Sequence, residues 1–180
     1  MTRVLYYDVP SGNQEYRLYS YLSTFFHNTT ILDIGTMNGR SAIALSYNES
    51  NRVISYDITD HIQDPGHKVY TKSNIEFKLK NVLDDLTEEF VKDVKIVMID
   101  IDHYENEETK IINRLKDLNF SGIILLDDIT NHPNQEMNRC MRILWDSIRD
   151  EKYDFTRYGH WSGTGVVIIN EDIVFDFLDE

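Results

Sequence analysis

The chain has 180 residues, 41% of them hydrophobic, which is enough for one globular domain with a sizeable core and too few for two. A formal net charge of −13 argues against a groove that tracks nucleic-acid phosphates, which needs clustered Lys and Arg, and favours small or cationic ligands. The single cysteine, Cys140, excludes an internal disulfide and a thiolate zinc site, and no run reaches the ~18 apolar residues of a membrane span, so a cytoplasmic protein is expected, with neither membrane nor nucleic acid as partner.

Residues 1–29 carry Tyr6, Tyr7, Tyr16, Tyr19 and Tyr21 and read as a helix that covers the sheet or acts as a lid, ahead of a core over 30–169 and an extension over 170–180. Short apolar or β-branched runs then fall at about 30–34, 52–57, 74–79, 94–100 and 121–127. Between them lie helix-like stretches at 40–48, 60–66, 83–92, 104–117 and 134–149. Strand and helix in alternation predict a parallel sheet covered on both faces. The runs over 94–101 and 121–126 are nearly uniform in hydrophobicity and read as central strands; those at 52–57 and 74–79 alternate more and read as nearer an edge. Residues 153–158 and 164–169, joined around Gly159 to Gly163, predict a closing antiparallel hairpin. The apolar end from Ile173 onward suits packing on the domain or on a second copy, which leaves a homodimer open.

Three of these strands end in carboxylates: Asp33, then Asp100 with Asp102, then Asp127 with Asp128. Parallel strands side by side would bring those ends to one sheet edge, where like charges raise each other's pKa unless a cation lies between them. After the first strand, Gly35 and Gly39 form a turn into a helix, and Asp57 ends the next strand 24 positions beyond Asp33. That is the layout of an adenosine-cofactor site, with glycines permitting close backbone approach and Asp57 accepting from the ribose hydroxyls. A dinucleotide prefers G-x-G-x-x-G, and its pyrophosphate would be repelled by Asp33; here Met37 stands at the middle glycine position. S-adenosylmethionine carries a sulfonium and an ammonium that Asp33 attracts. The plainer reading is an α/β domain whose glycines only tighten a turn.

Asp100 and Asp127 are 27 residues apart, one strand-helix-strand crossover, so they should lie on neighbouring strands roughly 5 Å apart. With Asp128 they form a set of hard oxygen donors that suits Mg²⁺ or a similar ion. Such an ion beside a substrate hydroxyl lowers its pKa and orients its oxygen. His103, three positions after Asp100, is the candidate general base. Against this, Asp102 and Glu105 have the spacing of a helix capping box, and acidic residues are common in turns. His132 and Asn131 lie just past Asp128, although Asn131 also suits a cap for the 134–149 helix; His160 and Trp161 either face the acceptor or only fill the hairpin loop.

The segments ILDIGTMNGRSA, VISYDI, VMIDIDHYENE and IILLDDITNH resemble class I S-adenosylmethionine-dependent methyltransferases over about residues 30–169. Within these they are similar to the metal-dependent O-methyltransferases, of catechol or caffeoyl type and of the macrolide-sugar type. The resemblance implies a Rossmann-like, doubly wound, mostly parallel α/β sheet of seven strands, ordered 3-2-1-4-5-7-6 with one antiparallel strand and helices on both faces. It implies donor binding by Asp33, Gly35, Ser41 and Asp57, an adenine contact from Asn81, and metal ligation by Asp100, Asp127 and Asp128. His103 falls where the sugar-modifying enzymes have a histidine and the catechol type a lysine. The chain departs from the pattern in its short N-terminal stretch, in Met37 and in lacking a long insertion to build an acceptor pocket. The expected activity is methyl transfer to a hydroxyl of a small molecule or sugar, against two alternatives: a non-catalytic domain binding an adenosine ligand or a protein, and a nicotinamide-dependent oxidoreductase.

Overall fold

A computed structural model describes residues 13–104 and 106–175. Tyr6, Tyr7, Glu105 and the last five residues, on which some of the expectations above fall, lie outside the described residues. In chain order the elements are α1 (Asn13–Leu22), β1 (Thr30–Ile34), α2 (Arg40–Leu45), β2 (Arg52–Asp57), α3 (Lys68–Thr71), β3 (Ile75–Leu79), α4 (Glu88–Val91), β4 (Val94–Ile99), α5 (Glu107–Asp117), β5 (Gly122–Asp127), α6 (Gln135–Ser147), β6 (Glu151–Asp154) and β7 (Thr164–Ile169). The sheet order is β3-β2-β1-β4-β5-β7-β6, with β7 antiparallel to both β5 and β6 and every other pair parallel.

Side chains alternate across a strand, so a strand apolar at every position must bury both faces. Leu32, Ile54, Val97, Ile124 and Val167 are register neighbours on one face and pack under α5 and α6, against Ile111, Leu115 and Met141. Ile31, Val53, Ile96, Ile123 and Ile168 form the matching row on the other face, beneath Leu18, Tyr19 and Leu22 of α1 and Ala42 and Leu45 of α2. Each such buried aliphatic side chain contributes about 1.5–3 kcal/mol. The tyrosines of α1 thus divide: Tyr19 is fully buried and Tyr21 is exposed. Phe175 stacks on Phe25 and meets Tyr153 and Phe155, so the chain up to that point packs on its own domain.

The structure differs from the sequence expectation where local side chains compete with helix formation. Over 60–66 there is no helix: the Asp60 and Asp64 carboxylates accept from the N–H groups of Ile62 and Gly66, two turns that replace helical bonds, and helix forms only from Lys68 behind a His67 cap. The 83–92 stretch splits into a 3₁₀ turn at Val82–Asp84 capped by Asn81 and the single turn of α4 capped by Thr87. α5 begins only at Glu107, after a left-handed Asn106, so Asp102 is not its cap. Asn134 rather than Asn131 caps α6, accepting from the N–H groups of Glu136 and Met137. β6 starts earlier than expected and stops at Asp154, whose carboxylate accepts from Thr156 N–H. Among the described residues, no helix is long and apolar enough to cross a membrane.

Candidate active site at the carboxyl edge of the sheet

β1, β2, β4 and β5 run parallel, so their acidic ends emerge together. Asp33 pairs in register with Ser55, whose hydroxyl donates to Asp33 Oδ2 at 2.5 Å. Asp33 Oδ1 is buried with no hydrogen-bond partner among the described residues. Burial pushes the Asp33 carboxyl up to about 6, against the lowering pull of the Ser55 and Ser41 hydroxyls. Gly35 follows at φ 98, and a Cβ there would stand 1.7 Å from the Asp100 carbonyl oxygen, so only glycine lets this loop cross the end of β4. Gly39, at φ 72, opens α2 with no room for a side chain beside Val69. Asp57 clamps the two loops together, accepting from Met37 N–H through Oδ2 and from Thr59 N–H through Oδ1, each at 2.9 Å.

A cavity of about 710 Å³ opens over these strand ends. Gly35, Asp57 and Asn81 line one side and Asp100, His103 and Asp128 the other, so the two halves of the predicted site share one chamber of ligand size. Asp33, Gly39, Ser41 and Asp127 are not among its lining residues. Asn81 is also the cap of the following turn, its Oδ1 accepting from Leu83 N–H.

The last registered pair of β4 and β5, Ile99 with Leu126, leaves Asp100 beside Asp127. Successive residues of a strand point to opposite faces, but Asp128 adopts a left-handed φ of 60. Ligand atoms of Asp127, Asp128 and His160 lie within 4.8 Å of one another. Among the described residues Asp100 is not a member of that group, whereas His160, which the sequence left undecided, is. Asp100 is exposed through the cavity onto which it opens. The protein packed around it first, and the neighbouring Asp127 and Asp128 charges second, hold its carboxyl above its ordinary value. Burial and the charges of Glu15 and Asp128 do the same to Asp127, whose Oδ1 has no hydrogen-bond partner among the described residues. At Asp128 burial acts upward, but hydrogen bonds from His103 and Ser162 outweigh it and hold the group below its ordinary value.

His103 is buried in a left-handed conformation with both ring nitrogens engaged: Nδ1 lies 2.7 Å from Glu108 Oε1 and Nε2 lies 3.2 Å from Asp128 Oδ2. Burial alone would lower its pKa; the two carboxylates push it up to about 10, so the ring is a cation at neutral pH. His132 reaches the same Asp128 oxygen at 3.5 Å and packs edge-on to His103. Glu15 of α1 is a further carboxylate at this edge, buried, accepting from Tyr19 OH at 2.6 Å and raised to about 7 chiefly by burial.

Glu108 and Glu15 were not read as site residues from the sequence, and His160 was read only as a loop residue that either faces the acceptor or fills the hairpin loop. Glu15 had a signal: with Tyr19 and Leu22 it lies on the apolar stripe of α1, where a carboxylate is out of place. Glu108 had none, because its position depends on where α5 starts, and the place of His160 depends on how the last loop folds back.

The donor set fits both implied groups. A buried carboxylate oxygen without a partner beneath the first loop suits a positively charged ligand, and a second one at Asp127, among hard oxygen and imidazole donors, suits a divalent cation. No protein-family model matches the sequence, and no curated protein sequence matches it significantly. Solved structures do match in fold. Cofactor-bound Rv0187 from MTB is 16% identical, over 92% of this chain and 84% of that one, with a TM-score of 0.61. The O-methyltransferase from Bacillus cereus, solved in complex with SAH, is 17% identical over 86% and 80% of the two chains, with a TM-score of 0.55. A precorrin-6y C5,15-methyltransferase from Geobacter metallireducens GS-15 is 17% identical over 85% and 86%, at 0.53. The sheet order with its antiparallel β7 is the methyltransferase Rossmann-like fold.

Proposed function

We propose that this chain binds S-adenosylmethionine over the ends of β1 and β2 and transfers its methyl group to a hydroxyl of a small-molecule or sugar acceptor, with a divalent cation at the acidic ends of β4 and β5. The observation that carries the reading is the shared cavity, which brings Gly35, Asp57 and Asn81 to face Asp100, His103 and Asp128. Fold likeness alone leaves the acceptor open, since structures of this fold include O-methyltransferases and a precorrin methyltransferase.

In this reading Asp57, oriented by two backbone N–H groups, keeps lone pairs for the ribose hydroxyls. Asp33 supplies negative charge beneath the loop where a sulfonium and an ammonium would lie. When bound, the donor supplies an electrophilic methyl group and the cation lowers the acceptor hydroxyl's pKa. Held by Glu108, His103 can take the hydroxyl proton once the Asp128 charge that now keeps it protonated is engaged elsewhere. His132 is a second candidate for that proton because it lines the same cavity. A non-catalytic binding domain or a nicotinamide-dependent oxidoreductase accounts for neither the histidines nor the carboxylates gathered here.

The test is formation of S-adenosylhomocysteine with a panel of vicinal diols, catechols and sugars, comparing His103→Ala with His132→Ala. A loss of about 100-fold or more in His103→Ala, with donor affinity intact, supports the assignment. Full turnover in His103→Ala and loss in His132→Ala would move the base to His132.

A further inference from the structure

The segment 155–163 before β7 folds back onto the segment that follows β5. Thr130 N–H and Asn131 N–H both donate to the Ser162 carbonyl, at 2.9 and 2.7 Å, and the Thr130 hydroxyl donates to it as well. His160 is fixed within that segment, its N–H donating to Thr164 Oγ1 at 2.8 Å and its carbonyl accepting from Gly163 N–H at 3.0 Å. Gly163, at φ 114, has no room for a Cβ against Thr130, so the turn that delivers His160 depends on glycine.

Its destination is the end of β5. The Asp127 side chain is 9% exposed, no hydrogen-bond donor among the described residues reaches Oδ1, and His160 Nδ1, which also bonds the Ser162 hydroxyl, lies 3.8 Å from that atom. A buried carboxylate oxygen left unpaired costs free energy unless a proton or a cation meets it. His103 and His132 each touch Asp128, but neither joins the group formed by Asp127, Asp128 and His160.

We propose that Asp127, Asp128 and His160 form a mixed oxygen and nitrogen site for a divalent transition ion of the Mn²⁺ or Fe²⁺ kind, in place of the all-carboxylate Mg²⁺ set of Asp100, Asp127 and Asp128. Magnesium takes oxygen ligands in strict octahedral geometry, whereas imidazole with carboxylate suits the transition ions. Asp100 is then left to the cavity and its ligand. The inference takes from the proposed function only the need for an ion at this edge.

The experiment titrates Mn²⁺ into the full chain, reading free Mn²⁺ by electron paramagnetic resonance and bound imidazole by ¹⁴N modulation of the bound-ion signal, with Mg²⁺ as competitor. The expected result is one bound Mn²⁺ per chain with a ¹⁴N signal, held at least about tenfold tighter than Mg²⁺. His160→Ala and His160→Gln should lose the ¹⁴N signal and weaken Mn²⁺ about 10- to 100-fold, while His132→Ala keeps the signal and Asp100→Asn stays within about threefold. Mg²⁺ competing on equal terms, or Mn²⁺ binding abolished by Asp100→Asn and untouched by both His160 variants, would overturn the assignment. So would no ion binding at all, which would mean that Asp127 is simply protonated. A parallel titration with S-adenosylmethionine separates the two ideas: donor bound without the His160-dependent ion sinks this inference alone, and the ion bound without the donor sinks the proposed function alone.

Discussion

Asp85 and Asp127 are both partly or fully removed from solvent, and the chain treats them in opposite ways. Asp85, in the turn after β3, accepts from Lys80 Nζ at 2.7 Å, from Lys78 Nζ at 2.9 Å and from Tyr56 OH at 2.9 Å. The two lysines hold its carboxyl well below the usual range. Among the described residues Asp127 has no lysine or arginine partner, one oxygen without a hydrogen bond, and carboxylates as neighbours. The chain has 18 Lys and Arg and places two of them on one exposed-edge aspartate, so the absence of a lysine or arginine beside Asp127 among the described residues is a property of the site and not of the composition. What the contrast teaches is that the carboxyl edge of the sheet is built at a cost in apo stability that a positively charged ligand would offset.

Three substitutions probe that contrast, with effects of opposite sign. Asp33→Asn removes a buried charge whose pKa rises from 3.8 to about 6 on folding, so at pH 7 the apo protein should gain up to about 3 kcal/mol, read as a higher urea midpoint. The same variant should bind S-adenosylmethionine at least about tenfold more weakly. A lower midpoint with unchanged donor affinity would break the comparison. In the other direction, Asp85→Asn should destabilise by about 1 kcal/mol, because the cluster is partly solvated and screened. The exposed Arg52–Glu76 pair gives the smallest effect: Arg52→Gln should change stability by less than about 0.5 kcal/mol, and a larger loss would mean that surface pairs here matter as much as Asp85.

The same groups determine the pH dependence. Asp33, Glu15, Asp100 and Asp127 all have folded pKa values raised above their unfolded ones, and His103 is raised to about 10. For each of them the folded chain binds more protons than the unfolded one, so their stability contribution is full below the unfolded pKa and is lost as pH rises through the folded value. The apo protein should therefore lose stability as pH rises from about 4 through 7, where Asp33 and Glu15 titrate, and again towards 10 as His103 does. Asp85 runs the other way, its contribution being present above 3.8 and lost only as pH falls further. Urea midpoints measured from pH 4 to pH 10 check this, and a maximum near pH 8 would contradict it.

The sheet was legible because its strands are the apolar runs themselves: Val97 and Ile124 on one face and Ile96 and Ile123 on the other leave no alternation to misread. The first loop was legible for a similar reason, since Gly35 and Gly39 stand where a Cβ would collide. The short helices were not, because Asp60, Asp64 and Asn106 form local turns that hydrophobic periodicity does not register. The acidic edge was legible as a row of strand ends, but the histidine beside it was left undecided. Strand ends place Asp100, Asp127 and Asp128 side by side, yet the left-handed turn at Asp128 and the folded-back 155–163 segment bring His160 to Asp127, and no residue spacing records that.

The measurement that bears most directly on the central claim is calorimetric titration of S-adenosylmethionine into the protein and into its Asp33→Asn and Asp57→Ala variants. The account predicts saturable binding at one site per chain, weakened at least about tenfold in each variant although both remain folded. No binding to the unaltered protein, or binding that both substitutions leave unchanged, would contradict it.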